Sequence, residues 1–244
     1  MATAAPEKKK APKQGKRFEK AQKKAPNTAV ALDAAIALVK GFDQPKFDHT
    51  VEMIFWLGVD PAHADQQIRS SVALPHGIGK TKRVVAFVDP TRAQSCLEAG
   101  AMMAGGEDMV KEIENANFTD FDVAIASPDM MRFVGRLGKM LGPKGLMPAP
   151  KAGTVTPNVE EAVKEYAAGK QEFRTDKGAN IHTVIGKVSF GNDELKENAE
   201  AMLTKIKSLK PEVIKHNYIK KVTLKATMTP GVEVNLASEA TAAA

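Results

Sequence analysis

Between Lys82 and Gly169 the sequence alternates short apolar strands with helices, and on either side of that block it follows a different rule. RVVAFV and FDVAIA are nearly continuous apolar runs, the pattern of strands buried on both faces. TRAQSCLEAG, GEDMVKEIEN, PDMMRFVGRL and VEEAVKEYAAG read as helices, the first stopping at Gly100 and the last near Gly169. Such strands need cover on both sides, which points to a small parallel α/β sheet. In the flanks, FDHTVEMIFWLGV alternates instead, with Val51, Met53, Phe55 and Leu57 on one face. A helix is expected before it, capped by Asn27 or Thr28, running through Val30, Leu32, Ile36 and Val39, and stopping at Gly41. KQEFRTDK, ANIHTVIGKVSF, KKVTLKATM and VEVNL read as strands, with an amphipathic helix at DELKENAEAMLTKIKSL. The simplest path through both patterns is an α+β domain made from the two ends of the chain and interrupted by an α/β insertion. Two crossings, near LPHG and AAGKQ, would form a hinge. The expected boundaries are 27–76 with 169–236 for the split domain and 77–168 for the insertion, between a basic, unordered tail (1–26) and a short tail (237–244).

The net charge of +6 matters less than its placement. Residues 1–26 carry nine Lys or Arg against Glu7 and Glu19, which leaves the remainder close to neutral. Within that remainder 132–151 holds five basic and no acidic residues, 95–122 holds seven acidic and one basic, and 205–225 has seven Lys against Glu212. Sorted basic patches on a neutral body suggest an anionic partner met at defined surfaces. The plainer alternative is solubilising Lys, and the tail is open to either reading, solvated leader or polyanion-binding arm.

No apolar run approaches the roughly 20 residues of a membrane span, and the Lys-rich start has no apolar core of a secretory signal. The single cysteine, Cys96, rules out an internal disulfide, and no Cys or His cluster has zinc-ligand spacing. We therefore expect a cytoplasmic protein without metal, cofactor or membrane contact. GIGKT at 77–81 tempts a nucleotide reading, but Leu74 stands where a phosphate-binding loop needs its first Gly, and a strand follows where a helix should. The dinucleotide fingerprint fails too, with Lys82 in place of the third Gly. The five His are scattered and no nucleophile motif is present, so no catalytic residue is assigned. A nucleotide-binding α/β enzyme and a general nucleic-acid-binding module remain as alternatives.

Residues 135–155, GRLGKMLGPKGLMPAPKAGTV, combine five Gly, three Pro and four basic residues with no acid. Such a loop is partly preorganised, and Arg136, Lys139, Lys144 and Lys151 with exposed amides would suit phosphate oxygens. A loop that merely connects the insertion to its last helix is the competing reading. Only 13 residues are aromatic, which argues against reading single strands base after base and favours a folded nucleic acid.

That stretch resembles the signature of the large-subunit ribosomal protein L-one family, bacterial type. The likeness extends in unbroken order through KFDHTVE, LGVDPAHADQQIRSSVALPHGIGK, EFRTDK, IHTVIGKVSF and TMTPGV, covering about residues 27 to 236. It implies a split α+β domain with an inserted Rossmann-like α/β domain joined by two strands. It also implies binding to large-subunit rRNA at the mobile stalk, near deacylated tRNA leaving the exit site, and translational repression through the protein's own mRNA leader. A ribosome-bound, non-enzymatic protein that is monomeric when free follows. The family's RNA contacts fall here on Lys46, Phe47, Thr50 and Glu52, on Arg174, Asp176 and Lys177, and on Thr227, Met228 and Thr229, with Arg136, Lys139, Lys144 and Lys151 as secondary contacts to rRNA or tRNA. The pattern departs at Thr229, Ser70 and Ala149, where Gly, Gly and Asn are usual, and at Gly178–Ala179, where the turn's Gly is displaced.

Overall fold

The computed structural model describes residues 15–43, 45–214 and 217–235. In chain order the first elements are α1 (Lys16–Lys24), α2 (Leu32–Lys40), β1 (Thr50–Leu57) and β2 (Arg69–Val72). The middle of the chain forms β3 (Val84–Phe87), α3 (Pro90–Glu98), β4 (Met103–Gly105), α4 (Glu107–Ala116), β5 (Val123–Ala126), α5 (Met131–Val134), α6 (Gly138–Lys144) and α7 (Val159–Ala167). The last elements are β6 (Gln171–Arg174), β7 (Asn180–Lys187), α8 (Asn192–Ser208), β8 (Ile219–Ala226) and β9 (Val232–Val234).

The fold is mixed: an antiparallel sheet in the order β7-β1-β8-β9, a two-stranded antiparallel ribbon β2-β6, and a parallel sheet β4-β3-β5. Both ends of the chain share one core. Ile36 and Val39 of α2, Val51, Met53, Phe55 and Leu57 of β1, and Met202, Leu203 and Ile206 of α8 are buried together. Period-2 apolar spacing in β1 turns that face inward against the helices. The parallel sheet is buried on both sides, as its continuous apolar strands require. Val85 and Phe87 face α4, α5 and α6, while Val84 and Ala86 face α3 and α7.

Three local expectations need correction. The tail was expected to lack order through residue 26, yet α1 occupies Lys16–Lys24 and buries Ala21 against the main core. Phe18, Ala21 and Ala25 stand at helical spacing, but this short stripe is outnumbered by the lysines around it. Residues 1–14 and the expected tail at 237–244 lie outside the described residues. The next helix starts at Leu32 rather than beside Asn27 or Thr28, because Val30 is taken into a bridge with Val234, its N–H donating to Glu233 and its carbonyl accepting from Asn235.

The third concerns residues 135–155, read as an irregular loop. Residues 131–144 are helical almost throughout, with Pro143 inside α6 and Gly145 ending it at φ 73°. Val134, Leu137 and Leu141 recur at helical spacing and are fully buried under the parallel sheet, and that burial outweighs the poor helix propensity of the glycines. Beyond it the chain turns back through Gly153, and Thr154 and Thr156 bond to Ala126 at the edge of β5.

The two crossings between the outer and middle segments run side by side. A Cβ at Gly169 would meet the Cα of Gly77 at 3.3 Å and the nitrogen of Ile78 at 3.2 Å, and Gly169 itself sits at φ 111°. Glycine is required there on both counts. Lys82 Nζ donates to the Lys170 carbonyl across the same crossing at 2.7 Å.

Candidate nucleic-acid interface

Antiparallel pairing brings Thr50 and Thr227 together at one end of the four-stranded sheet, although 177 positions separate them in the chain. The Thr227 N–H donates to the Thr50 carbonyl at 3.1 Å, and the Thr227 hydroxyl accepts from the Thr50 N–H at 3.2 Å. Lys187, at the end of β7, donates to the Thr50 hydroxyl at 2.9 Å, a bond in which the hydroxyl accepts and keeps its own proton to donate. Phe47 and Met228 stand beside this pair with 53% and 51% of their surfaces exposed, so neither belongs to the core. An exposed apolar pair around two hydroxyls and a cation offers contact surface and hydrogen bonds to a sugar-phosphate ligand at one place.

Beneath Phe47 lies His49, fully buried, its ring stacked on the phenyl with centroids 4.9 Å apart. Burial, followed by the nearby charge of Arg17 in α1, holds its imidazole below the ordinary histidine range against the opposing pull of Asp48, so it is neutral at physiological pH. Its ring supports Phe47 from below. Neither His49, Lys187 nor Arg17 was among the candidates read from the sequence. Arg17 falls in the tail expected to lack order, Lys187 becomes a neighbour of Thr50 only through the strand pairing, and His49, next to Thr50 in the chain, shows its burial only in the fold.

Thr229 must be reassigned. Its side chain is 6% exposed and its hydroxyl accepts from the Ala226 N–H at 2.9 Å while donating back to the Ala226 carbonyl. It closes the turn that presents Thr227 and Met228 and does not face outward.

Farther along the same outer face, Glu52 pairs with Lys225 across the strands at 3.1 Å. Arg174, Asp176 and Lys177 lie at the opposite end of the sheet, because β7 runs from Asn180 beside Trp56 to Lys187 beside Thr50. At the usual strand rise that separates the two groups by about 20 Å. The Asp176 carboxylate accepts from the Gly178 and Asn180 N–H groups at 2.8 and 2.7 Å, and the Asn180 amide bond is the first cause that holds it below the usual carboxylate range. Its role in the turn is thus structural as well. Ala179 takes φ 60° in that turn, a left-handed conformation that a displaced glycine would hold more cheaply.

A cleft of about 990 Å³ separates this end of the sheet from the glycine- and proline-rich stretch. Arg69, Arg174, Asp176 and Lys177 line one wall, and Gly142, Gly145, Met147 and Pro148 line the other. The four basic residues of the stretch are not on that wall. Arg136 lies near Glu107 and the Phe133 ring, Lys144 donates to Thr119, and Lys139 and Lys151 are exposed elsewhere. GIGKT leads into β3, with Gly77 and Gly79 at positive φ, and no helix opens there.

Among the described residues no group of His, Cys, Asp and Glu is arranged to hold a metal ion, and no helix is long and apolar enough to cross a membrane. Residues 38–230 match the profile of the ribosomal protein L1p/L10e family. A large ribosomal subunit protein uL1 of Solibacter usitatus (strain Ellin6076) is 48% identical over 225 residues, covering 92% of this chain and 95% of its own. Another, of Thermosipho africanus (strain TCF52B), is 49% identical over 228 residues, covering 93% and 98%.

Proposed function

The chain belongs to the ribosomal protein L1p/L10e family, and from that premise we propose that it is a structural component of the large ribosomal subunit that binds rRNA through the outer segments of its fold. The observation that carries this reading is the convergence of Thr50, Thr227, Phe47 and Met228 on one exposed sheet end, with Lys187 bonded to the Thr50 hydroxyl. Hydroxyls answer ribose 2′-OH groups, the apolar pair packs on sugars or bases, and Lys187 answers phosphate. Lys46 and Glu52 extend this contact, while Arg174, Asp176 and Lys177 form a second one at the far end of the sheet. Residues 27–76 and 169–236 act as the RNA-holding unit in this proposal, and 77–168 as a second unit hinged on the crossings at Gly77 and Gly169. Release of deacylated tRNA, repression through the protein's own mRNA leader, and secondary contacts by Arg136, Lys139, Lys144 and Lys151 belong to the same proposal. It assigns no catalysis and a cytoplasmic place of work.

The direct test is sedimentation with purified ribosomal subunits. The protein should travel with the large subunit and survive a moderate salt wash; recovery in the free fraction only would reject the proposal. At residue level, Thr227→Val should weaken rRNA binding by about 1 to 3 kcal/mol, the scale of lost hydrogen bonds to a desolvated partner. Its melting temperature should change little, because the Thr227 side chain is exposed. Unchanged affinity in a filter-binding titration removes Thr227 from the contact set.

A further inference from the structure

Trp56 is the only tryptophan in the chain, and it sits on the surface with 46% of its area exposed. Its position on β1 places it on the same outer face as Thr50 and Glu52, since alternate residues of that strand are buried on the other side. The pairing of β1 with β8 is regular from Val51 to Trp56 and then shifts: Trp56 pairs with Lys221 and Leu57 with Ile219. Lys220 is the extra residue of that bulge. A bulge re-aims the side chain it leaves unpaired, and here the Lys220 ammonium lies 5.0 Å from the centroid of the Trp56 ring. Lys221 stands directly across from Trp56 with its ammonium paired to Glu233, and helices α2 and α8 cover the opposite face of the sheet.

An exposed indole with the Lys220 ammonium at its ring fits a polyanion that also carries flat aromatic groups. We propose that Trp56 is a stacking platform for an unpaired base of the bound RNA, with Lys220 holding an adjoining phosphate. This rests on the reading that RNA lies on the sheet at Thr50 and Thr227, and it lengthens that contact along β1 by six residues, about 20 Å. The platform also bridges the two groups of candidate residues, because Trp56 pairs with Asn180, next to the turn that carries Asp176 and Lys177. Base stacking on an aromatic side chain is tolerant of sequence, so the site adds affinity for an unpaired nucleotide without demanding a particular base.

The sole tryptophan makes the test direct. The full-length protein is titrated with deproteinised large-subunit rRNA, and binding is followed by filter retention of labelled RNA in parallel with Trp56 emission excited at the red edge of its absorption. Emission should be quenched in step with binding. Trp56→Ala should lose roughly 5- to 100-fold in affinity, the range for one stacked base, and Trp56→Phe should recover most of it by keeping an aromatic face. Equal affinities for wild type and a folded Trp56→Ala, with or without an emission change, would overturn the platform while leaving rRNA binding intact; the face would then belong to a protein partner. If no RNA binds to wild type, the proposed function and the platform fall together. Should Trp56→Ala not fold, the wild type decides: quenching that tracks binding supports the platform, and unchanged emission overturns it.

Discussion

Alkaline titration should destabilise this protein between about pH 10 and 12, and the loss will follow its two tyrosines. Burial raises the phenols of Tyr166 and Tyr218 from 10 to about 12. Tyr166 donates its hydroxyl proton to the Ala152 carbonyl at 2.6 Å and so holds the end of the glycine- and proline-rich stretch on α7. The Tyr218 hydroxyl is buried with no partner among the described residues. The sign follows from the raised values. An unfolded phenol ionises near 10, so the folded state keeps its full advantage below that pH and loses it as pH climbs through the folded value. Each phenol accounts for about 2 kcal/mol of that loss, and together they remove a large part of an ordinary domain's stability.

Tyrosinate absorbance and circular dichroism should therefore change together. Two phenols that ionise near pH 10 in a protein with an intact fold would contradict the burial argument. The two sites should also separate by substitution. Tyr218→Phe removes an unpartnered hydroxyl, so it should not lower stability at neutral pH yet should halve the alkaline loss. Tyr166→Phe should cost about 1 kcal/mol at neutral pH through the orphaned Ala152 carbonyl.

Asn198→Ala is expected to cost about 2 to 4 kcal/mol and to lower the melting temperature by several degrees. Asn198 of α8 is fully buried, and its amide makes three bonds across three segments. It donates to the Ile185 carbonyl of β7 at 2.8 Å and to the Gly77 carbonyl at 3.0 Å, and it accepts from the His76 N–H at 3.1 Å. Removal takes a partner from the buried Ile185 carbonyl and from two part-buried backbone groups, the costly side of hydrogen-bond energetics. The site ties the first crossing to the helix and sheet of the outer segments, so the variant should also expose the backbone near residue 77 to faster hydrogen exchange. Asn198→Asp should be worse at neutral pH, because an ionised oxygen would replace the donor that faces two carbonyls. A melting temperature equal to wild type for Asn198→Ala would show that the crossing is held by other contacts.

The long antiparallel strands and the apolar strands β3 and β5 were legible from spacing, whereas the short strands β2 and β4 were not. Val51, Met53, Phe55 and Leu57 alternate, and RVVAFV and FDVAIA are continuous, so strand type could be read locally. The helix through 138–144 was missed because Gly and Pro dominated the reading, although the Val134, Leu137 and Leu141 stripe was present. Helix α1 carries Phe18 and Ala21 on one face, a stripe too short to stand out among its basic residues. Thr229 stood beside two exposed residues in TMTPGV, and only its burial shows that it serves the turn.

Motif order alone was enough to identify the family, because six segments in unbroken sequence do not recur by chance, and periodicity alone separated parallel from antiparallel strands. Both are properties of near neighbours along the chain. The interface was decided by pairing between distant segments: Thr50 with Thr227, Lys187 at the Thr50 hydroxyl, and the bulge that turns Lys220 onto Trp56. Strand register is set by which faces are buried across the whole sheet, and a register set by non-local contacts leaves no mark in any short window of sequence.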